Sequence, residues 1–263
     1  MGRGSGVVEF ASCRGVTARM ALDAWGDHAA RRGVAVSGTF AAARNLAACV
    51  AVVLLVSACS LPRRTTAPGP LPSGAPTSVE GLAAAIDADS QRSDHESDGR
   101  VRGALADEAL GYADACIAKA PKAAACLYGQ GVALGLQARA HPTRASELLK
   151  SMLESLSGAD AVDPNYDQAG PSRVRALVLI RAPGWPLGPG DADAGLESAR
   201  RAVGLRPQYP PNLLALAEAL SKTGDAGGAR DAYAKARDAA QAMPDTAGRD
   251  GWLREADQGL QRK

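Results

Sequence analysis

From about residue 103 onward, apolar residues recur at intervals of three and four, set among alanine, leucine and glutamate. That spacing places them on one face of successive α-helices, and the residue choice favours the same conformation. No convincing strand appears, because the apolar run 174–180 lies between helical neighbours. Upstream the pattern changes. Residues 79–86 have the apolar content to begin a helix, whereas 87–102 are polar and predicted to be loose. Residues 60–78 carry Pro62, Pro68, Pro70, Pro72 and Pro76 among Ser, Thr and Gly, which predicts an extended spacer.

Within the helical part the periodicity has a longer rhythm. Leu216, Ala217, Leu220, Gly224, Ala229, Tyr233 and Ala236 stand at the spacing of a tetratricopeptide repeat. Two antiparallel helices approach closely only where a surface is small, so Ala217 and Ala229 are expected to face each other while Leu216, Leu220 and Tyr233 fill the flanks. Gly224 would turn the chain between them. Counting back from Pro207 places Ala202 and Ala199 in register, and counting back from Pro121 places Cys116, Ala113 and Ala109. Gly131 with Leu134, followed by a helix over 144–156, supplies a widened middle repeat. The expected fold is therefore an all-α solenoid of three or four degenerate helical hairpins whose inner helices line a concave groove.

A second apolar pattern lies near the N-terminus. Residues 46–58 form a 13-residue apolar core with Arg44 just upstream, and no charge occurs from 45 to 62. That is too short to span a bilayer and reads as the core of a signal peptide. It ends in Val56-Ser57-Ala58-Cys59, an aliphatic residue and two small ones ahead of a cysteine, which matches a bacterial lipobox. Cys59 is the expected lipidation site, and acyl chains would then hold the protein to a membrane without a spanning helix. The other reading is a single transmembrane anchor that ends in cysteine. Ser60, where an aspartate is missing, favours the outer membrane if the cell is Gram-negative. Glu9, Asp23 and Asp27 are out of place ahead of a signal core and point to a start site placed too early. The expected organisation is a leader over 1–58, a lipidated cysteine and flexible linker over 59–102, and a helical repeat domain over 103–263.

Charge changes the picture once the leader is set aside. The whole chain has 30 basic and 28 acidic residues, but 59–263 hold 24 basic against 25 acidic. The basic excess belongs to the leader, and no basic cluster interleaved with aromatics speaks for nucleic acid. Catalytic signatures are missing: there is no Gly-x-Ser-x-Gly, phosphate-binding loop or His-Glu-x-x-His. His95 and His141 lie away from cysteines, so neither a metal site nor a cofactor is expected. Asp191 and Asp193 are better suited to a helix start than to acid–base work, with Asp191 and Asn212 as N-caps. Cys116 and Cys126 flank a helix turn. In an oxidising envelope they can form a disulfide, and the alternative is two small buried residues at helix contacts.

One region narrows the family. Residues 163–171 read Asp-Pro-Asn-Tyr-Asp-Gln-Ala-Gly-Pro, a short helix follows over 172–180, and 181–191 read Arg-Ala-Pro-Gly-Trp-Pro-Leu-Gly-Pro-Gly-Asp. A segment so rich in Pro and Gly cannot continue a helix and must be a structured insertion. This succession, with Gln208-Tyr209-Pro210-Pro211-Asn212 after it, resembles the T-component family of TRAP transporters, lipoproteins built from degenerate tetratricopeptide repeats. The resemblance spans roughly residues 104–240 and is most specific over 170–220. It implies a membrane-tethered periplasmic protein that associates with the solute-binding component of an ATP-independent transporter and handles hydrophobic or acidic organic ligands.

Three residues are candidates for a ligand or partner surface. Trp185, on the inserted loop, has the large amphipathic ring that lines channels or anchors partners, and the bland alternative is a plug sealing the loop on the helices. Arg173 and Arg175 could pair with a carboxylate ligand, or Arg173 could bridge to Asp191 or Asp193. The leading functional expectation is an accessory or adaptor for periplasmic solute uptake, with self-association left open. Its competitor is an envelope-assembly scaffold that holds protein partners in the same groove, and a partner-free small-molecule binder is a third possibility.

Overall fold

The computed structural model describes Leu71, residues 74–244 and residues 248–262. Cys59, the residues expected to form a signal segment and most of the Pro-rich spacer lie outside the described residues. The described part is all-α, with helices α1 (Val79–His95), α2 (Gly99–Lys119), α3 (Ala124–Ala140), α4 (Ala145–Val162), α5 (Tyr166–Arg181), α6 (Ala192–Leu205), α7 (Pro210–Lys222), α8 (Ala226–Ala242) and α9 (Arg249–Gln261). A short 3₁₀ turn, Pro142–Arg144, precedes α4.

Side chains written just ahead of the apolar faces start several of these helices. The Oγ of Ser78 accepts from the Gly81 amide at 3.0 Å, Asp191 Oδ1 from Ala194 at 3.0 Å and Asp225 Oδ1 from Gly228 at 2.8 Å. Each satisfies an amide that the first helical turn leaves without a partner. Asp191 is thus the cap expected for α6. Gly224 takes φ +89°, the left-handed conformation that ends α7, and Asp225 N then donates to Leu220 O at 2.9 Å.

Each helix packs on the next, and α1, α3, α5, α7 and α9 also meet in succession. Four buried clusters run along the array. The first joins Leu82 and Ile86 of α1 to Ala109, Tyr112 and Cys116 of α2 and to Cys126 and Leu136 of α3. The second is built on Leu149, Met152 and Leu156 of α4 against Tyr128 of α3 and Val178 of α5. The third joins α5, α6 and α7 through Leu177, Ile180, Ala199 and Ala215. The last holds Leu213, Ala217, Leu220, Ala229, Tyr233, Ala236 and Trp252. Ala217 and Ala229 share that core as the spacing required. These clusters draw on residues from Ala75 to Leu260, so the chain beyond Cys59 holds its own core.

Cys116 and Cys126 are fully buried and joined by a disulfide that ties the end of α2 to the start of α3, with Cα atoms 5.2 Å apart.

The stretch 87–102 is not loose. Helix α1 runs through His95, and Asp89, Ser90, Ser93 and Asp94 are buried. The folded unit therefore begins well before residue 103. Polar residues can occupy this inner face because α3 supplies partners: Arg139 pairs with Asp94 at 3.2 Å and donates to the Ser93 carbonyl at 3.3 Å. A buried polar group costs little once it is hydrogen-bonded, but nothing in the local composition announces a partner some 45 residues away.

Candidate functional site

The start of α5 is the most constrained point of the backbone. Asp167, Gln168 and Ala169 have φ of 47°, 56° and 64°, a left-handed turn built from non-glycine residues. Pro171 explains why a right-handed helix cannot extend back here: it has no N–H to give, its ring collides with the carbonyl four residues earlier, and it disfavours helical geometry at the preceding residue. Regular helix starts beside Gly170, where a Cβ would meet Asp167 and the Tyr128 ring at about 3 Å.

Arg173 holds this turn together. Its Nη1 donates to the carbonyls of Asp167 and Gln168, each at 3.2 Å, and to Asn212 Oδ1 at 3.1 Å, while Nη2 meets Asp167 Oδ2 at 2.8 Å. The guanidinium also lies 5.3 Å from the centre of the Tyr209 ring. Tyr128 Oη donates to the same Asp167 oxygen at 2.8 Å, and burial, followed by the Asp167 charge, pushes its phenol well above the usual range. The expectation of a bridge from Arg173 to Asp191 or Asp193 is corrected, because the left-handed turn brings Asp167 back onto α5. Asn212 is corrected as well. It is fully buried rather than a cap, and its Nδ2 donates to the carbonyls of Gln168, Ala202 and Arg206. Tyr209 stands at the cap position of α7 instead, since Pro210 fits the first helical turn, where an N–H is not needed.

Arg173 also contributes to the wall of a cleft of about 890 Å³ lined by α1, the start of α2, α5, α7 and α9. Val101, Leu105, Leu177, Leu214 and Trp252 give it an apolar surface. Around this stand the charged groups Arg92, His95 and Glu96 from α1 and its end, Arg181 from α5, and Asp250, Arg254 and Glu255 from α9. Arg181 is held by a two-pronged bridge to Glu218 at 2.7 and 2.6 Å, whereas Arg254 is exposed. The volume suits a small organic molecule, and a mixture of apolar wall and few polar groups is usual for such sites.

Of the other candidates, Arg175 is exposed and points away from the cleft wall, so α5 separates it from Arg173. Trp185 is 90% exposed and Leu187 67% exposed, which overturns the reading of Trp185 as a packing plug. The loop cannot fold its tryptophan inward because it is fastened from below. Gly190 N donates to Pro183 O at 2.8 Å, Gly188 N to Gly184 O at 3.2 Å and Asp191 N to Leu179 O at 2.9 Å. Gly190 is indispensable to that closure, since a Cβ there would run into the Ala182 carbonyl. The result is a fixed apolar tip.

Sequence reasoning did not find Asp167, Arg92 or Trp252. The signal for Asp167 was present in the Pro171 that forces a turn before it, and Arg92 stands three residues after Asp89 on one helix face. Among the described residues no cluster of three His, Cys, Asp or Glu could hold a metal ion, and no helix is long and apolar enough to cross a membrane.

Cleft and tip together define the class that this structure establishes: an all-helical protein with an open amphipathic cleft and a projecting aromatic tip. Compared with known proteins, the chain matches no family model and no curated relative.

Proposed function

We propose that this protein is a lipid-anchored adaptor of the cell envelope, related to the T-components of TRAP transporters, that docks a periplasmic solute-binding protein and receives a small organic ligand in its cleft. The helix pairs are read as degenerate tetratricopeptide hairpins. Their succession, each helix packed on the next and alternate helices in contact along the array, supports that reading. The observation that carries the docking role is Trp185: a tryptophan left 90% exposed on a loop braced by hydrogen bonds has the form of a preorganised interface anchor.

The test is capture from periplasmic extract with residues 60–263 as bait. An extracytoplasmic solute-binding protein is expected, with recovery falling at least about ten-fold for Trp185→Ala, as befits loss of an anchor. Capture of secretion or cell-wall assembly proteins would move the assignment to an envelope scaffold. Tethering has its own check. Cys59→Ala is expected to abolish incorporation of a labelled fatty acid, and undiminished label would remove the lipoprotein reading.

A further inference from the structure

Helix α1 contains a buried acid, Asp89, whose ion-pair partner Arg92 faces the cleft. The Asp89 side chain is 4% exposed and that of Arg92 64% exposed, with Nη1 to Oδ1 at 3.1 Å. Asp89 Oδ2 is buried and accepts no hydrogen bond. A carboxylate left half-satisfied in this way is held in its charged form at a cost.

Helix α2 adds to that cost. From it comes Glu108, whose charge acts on Asp89 and whose Oε1 accepts from Tyr112 Oη at 2.8 Å. From α3 comes Arg139, already engaged with Asp94. Arg92 is therefore the cation that serves Asp89 directly, and burial together with the Glu108 charge outweighs it, pushing the Asp89 carboxyl up to about 6. The Tyr112 phenol moves up to about 12 through burial and its bond to Glu108, so it stays neutral through the range in which Asp89 titrates.

We propose that the Asp89–Arg92 pair is a proton-operated control on the charge of the cleft: when Asp89 takes up a proton from solvent, Arg92 loses its counter-charge and becomes available to an anion in the cleft. The guanidinium is on the cleft wall. What changes is whether its charge is already neutralised by a neighbour within 3.1 Å. The ligand class this favours is an organic anion with an apolar body, bound more tightly on the acid side of neutrality. This inference needs only that the cleft be open, and does not depend on the transporter assignment.

The measurement uses anilinonaphthalene sulfonate, an aromatic sulfonate that stays charged throughout, titrated by fluorescence into residues 60–263 at about pH 5 and about pH 7.5. Near-ultraviolet circular dichroism verifies that each variant is folded at both values. The natural protein is expected to bind about five-fold more tightly at the lower pH. Asp89→Asn, which imitates the protonated acid, should bind at the higher pH as the natural protein does at the lower, with little pH dependence left. Arg92→Ala should bind weakly at both. His95 stands on the same rim, so His95→Gln is the control and should keep the pH dependence.

Persistence of the natural pH dependence in Asp89→Asn, its loss in His95→Gln, or absence of saturable probe binding in every variant would each overturn the proposal. Thermal unfolding gives a second readout. A carboxyl raised from 3.8 to about 6 by folding makes the fold lose stability as pH rises through that interval. Asp89→Asn should therefore melt above the natural protein at neutral pH, and the difference should shrink toward about pH 4. An unchanging difference would mean that Asp89 does not titrate as proposed.

Discussion

Arg173→Ala is expected to destabilise the protein by about 3–5 kcal/mol, the cost of leaving one partner of a buried ion pair behind. The substitution strips the Asp167 carboxylate of its cation, leaves the Asp167 carbonyl and the Oδ1 of Asn212 without the Arg173 donor, and leaves the Gln168 carbonyl with Asn212 alone. Those groups have nowhere to turn, since Arg173 and Asp167 are 6% and 7% exposed. Three residues in left-handed backbone also lose the clasp that offsets their strain, which is of order 1 kcal/mol or more for each. Arg173→Lys keeps the charge but presents a single ammonium in place of a planar fork, and should cost about 1–2 kcal/mol. Urea unfolding monitored by circular dichroism measures both. A double-mutant cycle with Asp167→Asn should return a total smaller than the sum of the single changes, because each removes the same interaction. Full additivity would mean that the two side chains do not hold one another.

Removing the Cys116–Cys126 bond is expected to lower stability by about 2.5 kcal/mol. The bridge closes a loop between residues ten apart, and freeing so short a loop returns a modest amount of conformational entropy to the unfolded chain. For a domain of this size the melting temperature should fall by about 5–10 °C. Alanine at both positions isolates this effect, because both sites are fully buried among small residues and the change leaves little empty volume. Reduction of the natural protein should be slow under native conditions, since neither sulfur is accessible without opening the α2–α3 hairpin. Differential scanning calorimetry of the double variant is the check, and an unchanged melting temperature would show that the helix contacts alone fix the turn.

The helical class was legible because it rests on periodicity, and periodicity is a local property. The alanine positions of α7 and α8 predict close approach, and Ala217 and Ala229 share a core. The Asp191 cap could also be read locally, because an aspartate ahead of an apolar helix face has one favourable use. The polar run of α1 could not. Its Asp94 is buried only because Arg139 arrives from α3, and a composition reading sees the acid without the base.

The same division runs through the candidate site. By itself the sequence determined that residues 172–180 form a helix, that Pro171 must interrupt what precedes it, and that the Pro/Gly segment over 182–190 must stand apart as a loop. Each follows from backbone chemistry within a few residues. Tertiary structure decided the rest: that Trp185 faces outward, that Arg173 turns to Asp167 and Asn212, that Arg175 looks away, and that α1 and α9 meet across one cleft. Those outcomes depend on which helix packs against which and on where a neighbour's carbonyl or carboxylate lies, and hydrogen bonds such as that from Arg173 to Asn212 join residues 39 positions apart. Spacing along a chain sets the conformation of a segment, but the partner that makes a buried charge tolerable is chosen only when the segments pack.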